Sequence, residues 1–262
     1  YGLLDMFGYI IPASELGITF GPTLTRPEEM QMIGAYGVFF IFLVWLARQH
    51  LLDVARQSFF IAPGRESSTE WFDVRISFWG GALAYLLLAV WLSWQGMSVI
   101  TAVLLIGAFF MISVVATRII CQGGLAYFTL TAAPMDGINA LFGTKMFTGA
   151  SGLIGAMAQK MLFVDLRESL MPSLLHAKKI HHTSTPPLLL FSGLLLTVIS
   201  SLFCSLLAMM ALCYRFGIRD LDLEWANRTT LNVYENAYRL IVNPVPSGDW
   251  VYIFAAAGVI VM

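Results

Sequence analysis

Long apolar runs separated by short polar patches dominate the chain, and their lengths carry the first information. A helix rises 1.5 Å per residue and the hydrocarbon core of a bilayer is about 30 Å thick, so about 20 apolar residues make one crossing. Residues 30–46, 76–94, 97–117 and 187–213 are each long enough. Residues 147–164, FTGASGLIGAMAQKMLFV, add a fifth span, and residues 250–262 open another with an interfacial tryptophan. Only Gln95 and Gly96 separate the second and third runs, which predicts a tight antiparallel hairpin with Trp91 and Trp94 at its interface. The run 119–133, IICQGGLAYFTLTAA, is interrupted by Gln122, Gly123 and Gly124 and suits a broken or re-entrant segment better than a plain span.

Orientation follows from the basic residues. The loop 47–75 carries Arg48, Arg56, Arg65 and Arg75, which places it on the cytoplasmic side. With 119–133 re-entrant, the cytoplasmic side collects ten Lys/Arg against four; with it spanning, the counts are eight against six, so the re-entrant topology is favoured. Residues 221–243 differ in kind: Leu231, Tyr234, Tyr238 and Ile241 share one helical face, while Arg228, Asn232, Glu235, Asn236 and Arg239 fall elsewhere. Glu235 and Arg239 are spaced for an i, i+4 ion pair, and Pro244 and Pro246 end the helix. Such a helix lies on the membrane surface or packs on the bundle. The expected fold is all-α, a polytopic transmembrane bundle with at least five spans and one broken or re-entrant segment. It forms a single transmembrane domain over residues 1–262. The first residue, Tyr1, and the apolar run that stops at Met262 mark the chain as a piece of a longer polypeptide.

Composition agrees with a lipid solvent. Apolar residues are 58% and charged residues 12% of the chain, with a mean hydropathy of +0.76; soluble domains run to about 45–50% apolar and about 25% charged. The expected location is a membrane, crossed several times. A net charge of −1 excludes the basic face that a nucleic-acid reader needs. Cys121, Cys204 and Cys213 sit in apolar segments without metal-binding spacing and read as buried free thiols. His176, His181 and His182 neighbour Lys178 and Lys179, which would repel a cation, so no metal is expected. No GxSxG, HExxH, P-loop or dinucleotide motif is present, so neither an enzyme nor a cofactor is expected.

Chemistry inside a membrane is sought at polar residues in apolar surroundings, because a charge there costs about 2.5 to 3.5 kcal/mol on insertion scales. Arg118 ends the third span directly before Gln122, Gly123 and Gly124. It either lies at depth beside irregular backbone or snorkels to the interface. The glycine pair either exposes backbone dipoles to a solute or makes a tight turn. Asp136 and Asn139 lie in the polar island PMDGINALFGTK, which lines a pathway or forms a solvated loop. Lys160 is the one charge in the small-residue run; it needs a partner at depth or snorkels. In that run Gly149, Ser151, Gly152, Gly155 and Ala156 point to close helix packing, since lipid tails do not demand small residues.

The order of the pieces VVATRIICQGGLAYF, LFGTKMFT and LMPSLLHAKKI, within residues 71–180, resembles a group of bacterial polytopic membrane proteins of unknown function. These are distantly similar to the oligopeptide-transporter superfamily. The positions that fit are Arg118, Gly123, Gly124, Gly143, Thr144, Pro172 and Lys179. Where the resemblance implies an acid before the glycines, the chain has Cys121 and Gln122. The resemblance implies a transporter-like fold in a bacterial inner (cytoplasmic) membrane, crossed several times. Two functions follow as expectations: a permease for a small organic solute with Arg118 and the Gly123–Gly124 break at its site, or a non-catalytic anchoring subunit of a larger membrane complex. The partners expected are membrane lipids, with other membrane subunits or further copies of the chain.

Overall fold

The computed structural model describes residues 27–59, 73–125, 133–163, 170–180, 187–217, 231–244 and 247–262. Within them lie ten α-helices: α1 (Pro27–Leu46), α2 (Arg48–Phe59), α3 (Val74–Trp94), α4 (Val99–Gly123), α5 (Pro134–Phe142), α6 (Ala150–Phe163), α7 (Leu170–Ile180), α8 (Pro187–Phe216), α9 (Leu231–Val242) and α10 (Asp249–Val261). One 3-10 turn, Thr144–Phe147, joins α5 towards α6. The described residues contain helices and no strand, as the apolar runs require.

The α3–α4 hairpin forms as its sequence dictates. Gly96 turns at φ 110° and the Met97 N–H donates back to the Leu92 carbonyl at 3.2 Å. The Tyr85 hydroxyl then donates to the Val103 carbonyl across the pair at 2.7 Å. Helix α4 is the hub, with α1, α3, α5, α6 and α7 all packed on it. Its buried positions, Ala102, Leu105 and Ile106, then Ile112, Val115, Ala116 and Ile120, recur at the three-to-four-residue spacing of one helix stripe.

Helices α1 and α10 lie antiparallel and are the most intimately packed pair. Gly34 of α1 meets the Ala255 carbonyl, and Gly258 of α10 meets the Gln31 carbonyl; a Cβ at either glycine would collide with that backbone. Residue numbers rise along one helix as they fall along the other, which fixes the antiparallel sense. Small residues let the two backbones touch.

Among the described residues three helices are long and apolar enough to cross a membrane, Val74–Trp94, Val99–Gly123 and Phe191–Phe216. A fourth exists if Met30–Leu46 and Arg48–Phe59, bent by 64° at Ala47, are one span. The expectation of at least five is therefore corrected. The stretch 147–164 does not form one rod: Phe147 closes the 3-10 turn, Thr148 is extended, Gly149 turns at φ 56°, and only the 14 residues of α6 follow. Fourteen residues reach about 21 Å, short of the core thickness.

The helix that carries Arg118 ends at the glycine pair where the break is expected. Helix α4 runs unbroken through Gly123, and Gly124, in the left-handed region at φ 62°, terminates it. Residues 126–132 lie outside the described residues. Among the described residues a bent pair of helices lies where apolar residues give way to Arg48, Gln49 and His50. Part of the loop 47–75 is thus helical. The end of α2 is fastened to the start of α3, with Arg75 Nε donating to the Gln57 carbonyl at 3.0 Å and Phe59 edge-on to Trp79 at 5.4 Å.

Helix α9 covers the described part of the proposed surface helix, residues 218–230 being outside it. Its buried face is not the aromatic one. Val233 and Ala237 pack into the core against α6, while Leu231, Tyr234 and Tyr238 are exposed. The Glu235–Arg239 pair closes at 2.7 Å on the surface.

Candidate functional site

Helix α5 is nine residues long, and six of them, including Asp136 and Asn139, are buried. Such a helix must find partners for its terminal N–H and C=O groups away from water. Pro134 occupies the first turn, where its missing N–H is no loss. Ala133, at the N-cap, has no side chain to offer the next N–H groups. Gln159 reaches over from α6 instead: its Oε1 accepts the Met135 N–H at 2.8 Å, and its Nε2 donates to Asp136 Oδ2 at 3.3 Å. Asp136 stands in the first turn, where the helix dipole favours an acid. At the other end the Asn139 carbonyl accepts the Gly143 N–H, the Ala140 carbonyl accepts the Ser247 hydroxyl and the Leu141 carbonyl accepts the Tyr252 hydroxyl.

Asn139 is the exception to this satisfied frame. It is 1% exposed, and neither its Oδ1 nor its Nδ2 has a hydrogen-bond partner. It lies one turn beyond Asp136, on the same face of α5. Other buried polar side chains are engaged: Thr101 bonds the Ser98 carbonyl at 2.8 Å, Thr117 bonds the Ser113 carbonyl at 2.6 Å, and Ser151 accepts the Ser98 N–H at 3.1 Å, tying α6 to the start of α4. Asp136, Asn139 and Gln159 form the candidate site.

The residues singled out from the sequence divide into two groups. Asp136 and Asn139 come together in the core, joined by Gln159, which the sequence reading missed; a lone amide beside Lys160 in an otherwise apolar run was the available signal. Arg118, Gln122, Gly123 and Gly124 are all exposed at the end of α4. Arg118 stands 19 residues beyond Val99, about 28 Å along the axis. There Cys121 Sγ approaches His176 Nε2 of α7 at 4.0 Å. Lys160 is half-buried in the last turn of α6, and desolvation pulls its ammonium below the ordinary lysine value. Among the described residues no three His, Cys, Asp or Glu side chains cluster as metal ligands would.

The small residues of α6 are used within the chain. A Cβ on Gly152 would meet the Phe147 carbonyl at 2.6 Å and Ile241 of α9 at 2.8 Å; one on Gly155 would meet the Phe147 ring at 3.1 Å and Met135 Sδ at 3.2 Å. Ser151 and Ala156 are buried beside them. Gly149 differs, having nothing within 4 Å of its Cβ position, and serves the turn at φ 56°.

No curated protein and no solved structure matches the chain. Neither comparison supports the expected similarity to the oligopeptide-transporter superfamily. One family model spans residues 1–262 in full, and by that match the chain, an integral-membrane type of sequence with a buried amide–carboxyl cluster, belongs to the family of unknown function DUF6785.

Proposed function

We propose that the protein is a transporter-like permease for a small organic solute, and that the solute meets it at Asp136, Asn139 and Gln159. The observation that carries this reading is Asn139, a fully buried carboxamide left unpaired in a helix whose other terminal polar groups are capped from neighbouring elements. An apolar bundle retains such a group at a cost of about 1–3 kcal/mol unless something pairs with it. Intramembrane polar residues of this kind mark solute pathways. Arg118 belongs, in this reading, to the mouth of the pathway, where its exposed guanidinium gathers solute from the headgroup region. The membrane is a bacterial inner membrane, the protein is not an enzyme, and its surroundings are lipid and further membrane chains rather than nucleic acid.

Uptake by proteoliposomes, screened over labelled sugars, amino acids, carboxylic acids and amides, tests the proposal. Asn139→Leu and Asp136→Asn should each lower the rate at least about tenfold with insertion unchanged, the size of one lost buried hydrogen bond. Arg118→Ala should raise KM more than it lowers the maximal rate. No uptake of any solute by the wild type, or full uptake by Asn139→Leu, overturns the reading.

One observation favours the alternative of an anchoring subunit: none of the apolar window of α8, Phe191–Phe216, is buried within the chain. The small-residue face of α6, however, packs against Phe147, Met135 and α9 rather than remaining open for a partner. Gentle detergent extraction decides between them, since a subunit emerges in fixed ratio with other chains and a permease emerges alone or with copies of itself.

A further inference from the structure

Deepening the permease reading, we infer that Asn139 selects solutes carrying a group that offers a hydrogen-bond donor and an acceptor side by side, namely a primary carboxamide or a protonated carboxyl. Its two unpaired atoms lie on one planar group, Oδ1 accepting and Nδ2 donating, so a ligand that satisfies both at once must present the mirrored pair. Neighbouring groups do not supply it without loss. Gln159 already spends Oε1 on the Met135 N–H and Nε2 on Asp136, and the carbonyls of Asn139, Ala140 and Leu141 are taken by Gly143, Ser247 and Tyr252. A bare cation would engage Oδ1 and face the positive end of Nδ2–H. A bare anion would engage Nδ2 and set a second lone pair against Oδ1 on the same planar group. Only a neutral two-point partner leaves neither atom opposed.

The test uses the full chain in detergent micelles, with acetamide, N,N-dimethylacetamide, acetate and tetramethylammonium as probes and the shift of the melting temperature with concentration as the readout. Acetamide should stabilise the wild type with an apparent affinity at least about tenfold better than dimethylacetamide, which lacks the N–H donor, because one buried partner is then left unpaired. Acetate and tetramethylammonium at neutral pH should not stabilise it. In Asn139→Leu the melting temperature without probe should rise and the acetamide response should vanish. Equal responses to acetamide and dimethylacetamide in the wild type, no response to acetamide, or an undiminished response in Asn139→Leu overturns the inference, and the first two comparisons need no variant. If wild-type liposomes take up nothing while the acetamide pattern holds, the permease reading fails and the recognition stands. If uptake survives while acetamide and dimethylacetamide act alike, the recognition fails alone.

Discussion

At the scale of single residues, Asn139 and Gln159 differ by whether their polar atoms have partners, and replacing them should move stability in opposite directions. Leucine has the same branching as asparagine and removes two buried atoms that have no partner. Asn139→Leu should therefore raise stability by about 1–3 kcal/mol less the strain of its larger volume, read as a higher melting temperature in detergent. Gln159→Leu instead strands the Met135 N–H and removes the donor to Asp136, both inside the bundle. It should lower stability by about 1–3 kcal/mol, and a melting temperature at or above the wild type would show that Gln159 is no cap. Asp136 and Asn139 were legible beforehand as a polar island between apolar runs. Gln159 was not, because the sequence placed one amide next to a lysine and the charge drew the eye; its work depends on α6 crossing the start of α5, which no local pattern records.

Among the helices, length and uniformity decided what could be read. The α3–α4 hairpin is legible because both runs are apolar from end to end and the two-residue turn carries a glycine. The stretch 147–164 has the right length for a span, yet its glycine and threonine at the start interrupt the helix, and apolar content alone is blind to that interruption. The face of α9 misleads for a related reason. Tyrosine and leucine dominate any hydrophobicity count, but Val233 and Ala237 are the residues that turn inward, with Ile241 against Gly152, and the large rings stay out. Gly152→Leu should accordingly drive α9 off α6, since Ile241 and the Phe147 carbonyl occupy the space its side chain needs. Faster amide hydrogen exchange confined to residues 231–242 is the expected sign, at a cost of about 1–3 kcal/mol; unchanged exchange there would mean that the contact bears no weight.

For the whole molecule, the number of crossings is the quantity to measure, and the cysteines report it. Cys204 lies 13 residues after Phe191 and 12 before Phe216, midway along the apolar window of α8. Cys121 lies two residues from the end of α4, near the exposed Gln122. In intact vesicles a membrane-impermeant maleimide should leave Cys204 unmodified while reaching Cys121 from one side, and ready labelling of Cys204 would remove α8 from the membrane. Three hydroxyls of α8 bond back to their own helix, Ser192 to the Leu189 carbonyl at 2.9 Å, Thr197 to that of Gly193 at 2.8 Å and Ser200 to that of Thr197 at 3.0 Å, which suits a helix facing hydrocarbon. The seam between α1 and α10 also has a bearing on biogenesis. Gly34 and Ala255 are 221 positions apart (255 − 34), so at ribosomal speeds of about 5–20 residues per second the first helix waits on the order of 10 to 40 s for its mate. Through that interval its glycine groove stands open in the nascent bilayer, an opportunity for an insertase or chaperone to shield it and for mispairing with another apolar segment whenever none does.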